Sequence, residues 1–297
     1  MKPTTSCVLA AALLSAPAVI PAADEQTVAL VVTDSSGGFV ANLEKTEVAV
    51  FENGEPREIL GLERDERPLA VAIVLDTSES VEGPYRMQVA EAMAGFLAGL
   101  PEKARFTVWV TGERPQRVLE QGEKTPPQQA LLKVFLMGGN TLIDALVEAA
   151  QRLEGQQGRR RAIVAVTGAG AGYTSWSPGE CVKRVSRAQA RVLGMMFHEG
   201  ETKPVGIISG HGAGAEATRV GFGEHEFVLN GLAKATGGRF ESLPSSISVA
   251  QTLRAFSSDL QGQYRLRYAT VKGRGPRNVQ IHVNRPQVRW RVVVDSP

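Results

Sequence analysis

Residues 69–80 read LAVAIVLDTSES, and the rest of the chain can be arranged around them. Seven apolar residues run without interruption up to Asp76, a pattern typical of a strand buried on both faces at the centre of a parallel sheet. Ser78 and Ser80 follow at alternate positions. Because open α/β sheets bind ligands at the carboxyl ends of their strands, we expect these three side chains to form a site. Carboxylate and hydroxyl oxygens suit Mg²⁺, Ca²⁺ or Mn²⁺ better than zinc or copper.

After this strand the chain alternates between helical and strand patterns. Apolar residues at helical spacing predict a helix over 85–100, and alternation over 104–111 predicts the next strand. Further helices are predicted over 128–136, after position 141, and over 180–189, 226–236 and 246–260, with strands over 162–166, 191–197 and 239–241. This alternation predicts an α/β domain with a doubly wound, mostly parallel sheet.

Both ends of the chain have the patterns of short β-strands. Residues 27–63 include Asn53-Gly54, a strong signal for a two-residue hairpin, and residues 263–294 alternate apolar with polar side chains. Because neither end is large enough for a core of its own, we expect both to pack into one small β-sandwich that holds the α/β domain as an insertion. The predicted boundaries are 1–23 for a signal peptide, 24–66 and 262–297 for the two β segments, and 67–261 for the α/β domain.

The composition, with 43% hydrophobic residues and a formal net charge of +2, is that of a globular protein. Since the basic residues are scattered, nothing favours nucleic-acid binding. One basic run, Arg159-Arg160-Arg161, precedes a predicted strand, and we interpret it as a solvated loop.

The first residues have the pattern of a secretory signal peptide. Lys2 supplies the positive charge, and residues 8–14 form an apolar segment that is too short to span a bilayer. Candidate cleavage points are Ala18, Ala22 and Ala23. Cleavage would remove Cys7 and leave Cys181 as the one cysteine, so no internal disulfide is expected. We predict export by the Sec route, a periplasmic or secreted location, and no membrane span in the mature chain.

The Asp-x-Ser-x-Ser pattern of Asp76, Ser78 and Ser80 at a strand end resembles the metal-ion-dependent adhesion site of von Willebrand factor type A (VWA) domains. In that family a threonine from a second loop completes the protein ligands, and Thr141 in GGNTLIDA is the matching position. The resemblance implies a VWA fold and a divalent cation, Mg²⁺ first and Ca²⁺ or Mn²⁺ as alternatives. It also implies an open coordination position that an acidic side chain of a partner protein fills.

The resemblance extends beyond the motif. Residues 29–63, residues 232–240 (LAKATGGRF) and the closing segment 264–294 are similar to bacterial exported "VWFA-related" proteins described from acidobacteria. The chain departs from the family at Gly168, which stands where the family has an aspartate. Fewer anionic ligands imply weaker cation binding. The resemblance therefore leaves two alternatives. The first is a cation site, and the second is a loop that Asp76, Ser78 and Ser80 stabilise only through local hydrogen bonds between side chains and backbone.

We expect the protein to be a non-enzymatic, exported protein-binding module, with Glu79, Gly168 and Trp176 on the rim that a partner contacts. The alternative is a metal-free structural or scaffold domain of the cell envelope. Weaker alternatives use the glycine-rich region 198–226, as a zinc site or as a hydrolase, but neither has the expected motif spacing. Cys181 lies in a predicted helix and is expected to be a buried apolar side chain.

Overall fold

The structure is a computed structural model that describes residues 24–121, 126–170, 172–198, 218–220, 223–271 and 278–295, with the backbone alone for 218–220. The predicted signal peptide, including Cys7, lies outside the described residues.

The described strands and helices follow one another along the chain with the following bounds. The strands are β1 (Asp24–Asp34), β2 (Val48–Glu52), β3 (Glu55–Arg57), β4 (Ile59–Arg64), β5 (Leu69–Leu75), β6 (Arg105–Val110), β7 (Gln116–Glu120), β8 (Arg160–Gly168), β9 (Gly172–Thr174), β10 (Arg191–Phe197), β11 (Thr218–Val220), β12 (Arg239–Leu243), β13 (Tyr264–Thr270), β14 (Val279–Val283) and β15 (Val288–Val293). The helices are α1 (Glu82–Pro84), α2 (Ala90–Ala98), α3 (Pro127–Leu132), α4 (Leu142–Glu154), α5 (Pro178–Arg187), α6 (Glu224–Thr236) and α7 (Val249–Gln261).

The central sheet has six strands in the order β12-β10-β8-β5-β6-β7, and every pairing in it is parallel except that of β6 with β7. The predicted doubly wound, mostly parallel α/β sheet is therefore confirmed, with β5 inside it. The antiparallel edge strand β7 was not predicted, because Gln116–Glu120 contains only two adjacent apolar residues and no alternation. The order reverses between β5 and β8, which is where such sheets place their ligands.

All seven residues of β5 are buried, because helices cover both faces of the sheet. Leu69, Val71, Ile73 and Leu75 share one core, called the first core, with α2 and α7. The alternate alanines and Val74 share the second core with α4, α5 and α6. The continuous apolar run that predicted a doubly covered strand is thereby explained.

The two ends of the chain form a sandwich of two antiparallel sheets, β15-β1-β13-β4 and β14-β2-β3. One core, which includes Leu30, Val50 and Leu266, lies between them. The predicted hairpin is present, since Asn53 and Gly54 connect β2 and β3 with φ values of 56° and 86°. These positive values are those that a two-residue hairpin turn of type I′ requires.

The prediction of a solvated loop at the basic run is wrong for two of its three arginines. Arg160 and Arg161 lie in β8 and are buried. Arg160 donates hydrogen bonds to the carbonyls of Arg67 and Leu260, which lie at the two ends of the inserted α/β domain. Arg161 donates to the carbonyls of Gln156 and Ala188. These carbonyl acceptors make burial of the two guanidinium groups tolerable.

Two predicted helices differ from those observed. The helix expected over 85–100 begins with a π-helical turn, Tyr85–Val89, before α2. The helix expected over 128–136 ends at Leu132, so that residues 133–137 form a loop beside the site. Within the described residues, no helix is long and apolar enough to cross a membrane.

Candidate functional site

The site lies at the carboxyl ends of β5 and β8, the two neighbouring strands between which the strand order reverses. Asp76 follows β5, and its amide donates to the carbonyl of Val166 in β8 (2.9 Å). Gly168 is the last residue of β8, and Thr111 follows β6. The parallel alignment of the three strands thus places their ends at one edge of the sheet.

The carboxylate of Asp76 is buried, with 4% of the residue exposed, and protein donors surround it. Oδ1 accepts hydrogen bonds from the amide (2.9 Å) and hydroxyl (2.7 Å) of Ser78, and a longer one from the hydroxyl of Thr111 (3.4 Å). Oδ2 accepts from Asn140 Nδ2 (2.8 Å), the hydroxyl of Thr167 (2.9 Å) and the amide of Gly168 (3.0 Å). Six donors stabilise the charged carboxylate within the protein itself.

Ser78 and Ser80 are adjacent, as their alternate positions predicted. Their Oγ atoms lie 3.0 Å apart. Because the Ser78 hydroxyl donates to Asp76, the hydroxyl of Ser80 is the donor in this pair. Ser78 is buried and Ser80 is exposed, so the pair leads from the carboxylate to the surface.

Thr141, the predicted third hydroxyl, lies on the second loop directly before α4. The residue is 6% exposed, and its Oγ1 is buried without a hydrogen-bond partner among the described residues. An unsatisfied buried hydroxyl costs about 1–3 kcal/mol. This cost indicates that the oxygen takes a partner that does not belong to the described protein, and a hard cation or a water molecule fits such an oxygen.

Asn140 is a site residue that the sequence analysis missed. Its Nδ2 donates to Asp76 and to Thr167 Oγ1, its Oδ1 accepts from the amide of Leu142, and its carbonyl accepts from the amide of Tyr173. It therefore fixes the loop of Thr141 against the carboxylate. Its signal in the sequence is an asparagine two residues before a predicted helix, a position that favours hydrogen bonding to the backbone.

Thr111 and Thr167 were also missed. Each follows or ends an apolar strand pattern at the same sheet edge as Asp76, and that placement could have identified them. Thr111 also accepts from the amide of Thr77 and, through its carbonyl, from the Thr77 hydroxyl. These bonds tie the ends of β5 and β6 together.

The space beside Gly168 is filled by Val81. A Cβ atom on Gly168 would overlap Cγ1 of Val81, which is 3% exposed and belongs to the first core. The position at which the resembled family has its second carboxylate thus has no room for a side chain unless Val81 moves. Asp76 remains as the one carboxylate of the matched set.

The predicted rim residues occupy different environments. Glu79 is exposed, and its amide donates to the carbonyl of Gly138 (3.3 Å). Gly168 is buried, and its amide faces Asp76. Trp176 is half-buried against the second core, and the guanidinium of Arg184 lies 4.0 Å from the centre of its ring. A further aromatic residue, Tyr173, is exposed near Gly139.

The region considered as a zinc or hydrolase site is only partly described. His198 lies 3.1 Å from Ser242 Oγ, and His225 is buried in α6 with both ring nitrogens unpartnered among the described residues. Burial lowers the pKa of His225, although the charge of Asp76 opposes that shift. The described residues contain no group of three or more His, Cys, Asp or Glu side chains that could hold a metal. Glu199 and His211, two of the residues from which a zinc site could be assembled, lie outside the described part of the chain.

Cys181 is fully buried, with its Sγ 3.9 Å from the carbonyl of Ile143. Burial raises the pKa of its thiol to about 12. The expectation of a buried, apolar cysteine is confirmed, since a thiol with this pKa is unreactive near neutral pH.

A parallel sheet with helices on both faces and a strand-end Asp-x-Ser-x-Ser loop is the architecture of a VWA domain, and comparison with solved structures shows that this chain has the VWA fold. A von Willebrand factor type A protein from Catenulispora acidiphila is 11% identical, with a TM-score of 0.50 over 91% of this chain and 72% of that one. Proximal thread matrix protein 1 from the mussel byssus is 14% identical, with a TM-score of 0.50 over 75% of this chain and 50% of that one.

A second structure of the mussel protein, which has zinc in its metal-ion-dependent adhesion site, is 12% identical, with a TM-score of 0.49 over 66% of this chain and 46% of that one. This chain spans about half the length of the mussel protein. No family model matches the sequence, and no curated protein is significantly similar to it. At these identities the likeness establishes the fold alone.

Proposed function

We propose that this chain is an exported, non-enzymatic protein-binding module that contacts its partner through the loops around Asp76. The observation that carries the proposal is the buried hydroxyl of Thr141, which has no partner among the described residues and lies on the loop beside the Ser78–Ser80 pair. The hydroxyls of Ser80 and Ser78 lead from the surface to the buried carboxylate of Asp76. Such an arrangement suits recognition of a polar group of a partner protein.

The same residues fit a hard divalent cation, with Mg²⁺ as the first choice and Ca²⁺ or Mn²⁺ as alternatives. Ser78, Ser80 and Thr141 would hold it through hydroxyl oxygens, with the charge of Asp76 beside them. A bound cation would supply a coordination position for an acidic side chain of the partner. Because Asp76 is the one anion of this set, we expect weak affinity.

A second candidate is a metal-free scaffold domain, and two observations favour it. The carboxylate of Asp76 is already satisfied by six protein donors. Val81 also occupies the space in which a second carboxylate would stand. A loop held in this way needs no cation to keep its conformation.

Calorimetric titration of the mature protein with Mg²⁺, Mn²⁺ and Ca²⁺ separates the two candidates. The cation proposal predicts heat and a raised melting temperature in the wild type, and neither in Asp76→Ala or Ser80→Ala. Ser245→Ala is the matched control, because the side chain of Ser245 makes no cap hydrogen bond at its helical turn. If none of the three ions gives heat or changes the melting temperature of the wild type, the cation proposal fails and the scaffold candidate is favoured.

The export component has its own test. Fusing residues 1–23 to a reporter enzyme that is active only outside the cytoplasm should give activity, and replacing the apolar segment 8–14 with charged residues should abolish it.

A further inference from the structure

We propose that a groove beside the Asp76 loop binds an acidic segment of another protein that inserts an apolar side chain. We call it the rim groove, and its walls include Glu113, Arg114, Lys133, Val134, Phe135 and Met137. The inference rests on the proposed function, because it specifies the partner segment for the same face of the domain.

The rim groove forms where two turns meet. One turn, residues 111–115, connects β6 to β7, and the other, residues 133–139, follows α3. Gly112 and Gly138 have φ values of +125° and +75°, which favour glycine. A Cβ on Gly138 would lie 2.9 Å from Cγ of Glu113, so the two turns can be in close contact only because position 138 has no side chain.

The groove carries large apolar side chains that face solvent. Phe135 is 85% exposed and Met137 is 54% exposed. Their neighbour Val134 is buried and anchors the loop. Clustered exposed apolar residues mark interaction sites, and phenylalanine and methionine are enriched at protein interfaces.

The charges of the groove determine which segment fits. Arg114 and Lys133 are exposed and form no ion pair within the described part of the chain, while Glu113 is the one acid among the wall residues. Two unpaired cations against one carboxylate favour a partner segment that is acidic. The groove encloses about 290 Å³, near the lower limit for small-molecule sites, so it suits one or two inserted side chains.

The rim groove is continuous with the Asp76 site through the backbone. The amide of Met137 donates to the carbonyl of Thr77 (3.1 Å), and the amide of Glu79 donates to the carbonyl of Gly138 (3.3 Å). These bonds hold the loop of Ser78 and Ser80 against the turn that lines the groove. One partner segment can place an apolar side chain in the groove and an acidic side chain at the site.

The test measures fluorescence anisotropy with three sets of short labelled peptides. The first set alternates Asp or Glu with Leu or Phe, the second replaces the acids with Lys or Arg, and the third replaces the apolar residues with Ser. We expect the mature protein to bind the first set and neither of the others. Phe135→Ser and Lys133→Glu should each weaken this binding at least about tenfold. The matched controls, Ile247→Ser and Arg254→Glu, change exposed residues on the α2–α7 side of the domain and should leave binding unchanged.

All of these substitutions are on the surface, so unchanged melting temperatures verify that the variants fold. Asp76→Ala separates the two proposals. If the peptides bind this variant but not Phe135→Ser, the groove inference stands and the proposed role of the Asp76 site fails. If binding requires Asp76 but not Phe135 or Lys133, the groove inference is overturned. It is also overturned if sedimentation shows a dimer that Phe135→Ser dissociates, because the occupant would then be a second copy of this chain.

Discussion

Val81 fills the space that a side chain on Gly168 would need. Gly168 ends β8 and Val81 lies in the turn that follows β5, and the Cβ that Gly168 lacks would overlap Cγ1 of Val81. Gly168 and Val81 therefore form a packed pair, because Val81 is buried in the first core and takes the space that a carboxylate at position 168 would need. Changes at either residue must be considered together.

The Val81–Gly168 pair predicts that adding a carboxylate requires removing the valine. Gly168→Asp alone should lower the free energy of unfolding by about 2–4 kcal/mol, because it overpacks a buried position and adds a charge beside Asp76. Gly168→Asp combined with Val81→Ala should recover part of that loss when Mg²⁺ is present. Denaturant titration with Mg²⁺ or chelator measures both effects. A double variant that is no more stable with Mg²⁺ than with chelator would show that the backbone of this loop cannot hold the ion.

Thr141→Val should change stability and cation binding in opposite directions. Without divalent cations we expect the free energy of unfolding of the variant to exceed that of the wild type by about 1 kcal/mol. The substitution removes a buried hydroxyl that has no partner among the described residues. With Mg²⁺ the wild type should gain stability and the variant should not. Thermal denaturation in both buffers measures the two effects. Destabilisation of the variant in chelator would show that a water molecule already satisfies Thr141 Oγ1.

Asn140→Ala should destabilise the domain by about 2–3 kcal/mol, because it removes the donor to Asp76 and Thr167 and the acceptor for the amide of Leu142. Asn230→Ala on α6 is a matched control, and we expect a change within about 0.5 kcal/mol. Chemical denaturation measures both. Equal losses in the two variants would contradict the role assigned to Asn140.

His225 should make stability fall in mild acid. Burial lowers the pKa of its ring in the folded state below the ordinary value of about 6.5, so the unfolded chain binds a proton that the native state does not. The free energy of unfolding should therefore be unaffected by His225 above about pH 6.5. It should decrease as the pH falls from about 6.5 towards the folded-state pKa, by up to about 1.4 kcal/mol per pH unit.

His225→Leu isolates this contribution, because it removes both ring nitrogens, for which the described part of the chain offers no hydrogen-bond partner. We expect the variant to exceed the wild type in stability by a margin that grows between pH 7 and pH 5. His282→Gln at an exposed position is the control and should follow the wild type. Parallel pH profiles for wild type and His225→Leu would show that the native state binds this proton as readily as the unfolded chain does.

Sequence patterns were sufficient for much of the sheet and for part of the site. The apolar run of β5 and the alternation in the flanking segments predicted the architecture, because burial on one or two faces sets the spacing of apolar residues directly. The same patterns missed β7 and the early end of α3. The apolar residues of 134–136 continue the helical pattern although the chain has left the helix there.

The sequence by itself determined the position of β5 and the row of Asp76, Ser78 and Ser80 at its end, because both depend on residues that are close along the chain. Only the tertiary structure decided what surrounds that row. The donors Asn140 and Thr167 lie 64 and 91 residues from Asp76, and Arg160 bonds to a carbonyl 100 residues away. The packing of Val81 against Gly168 joins the turn after β5 to the end of β8, which sequence spacing does not relate. These residues are distant along the chain and become neighbours only when the sheet aligns their strands. Local sequence patterns therefore cannot predict their contacts.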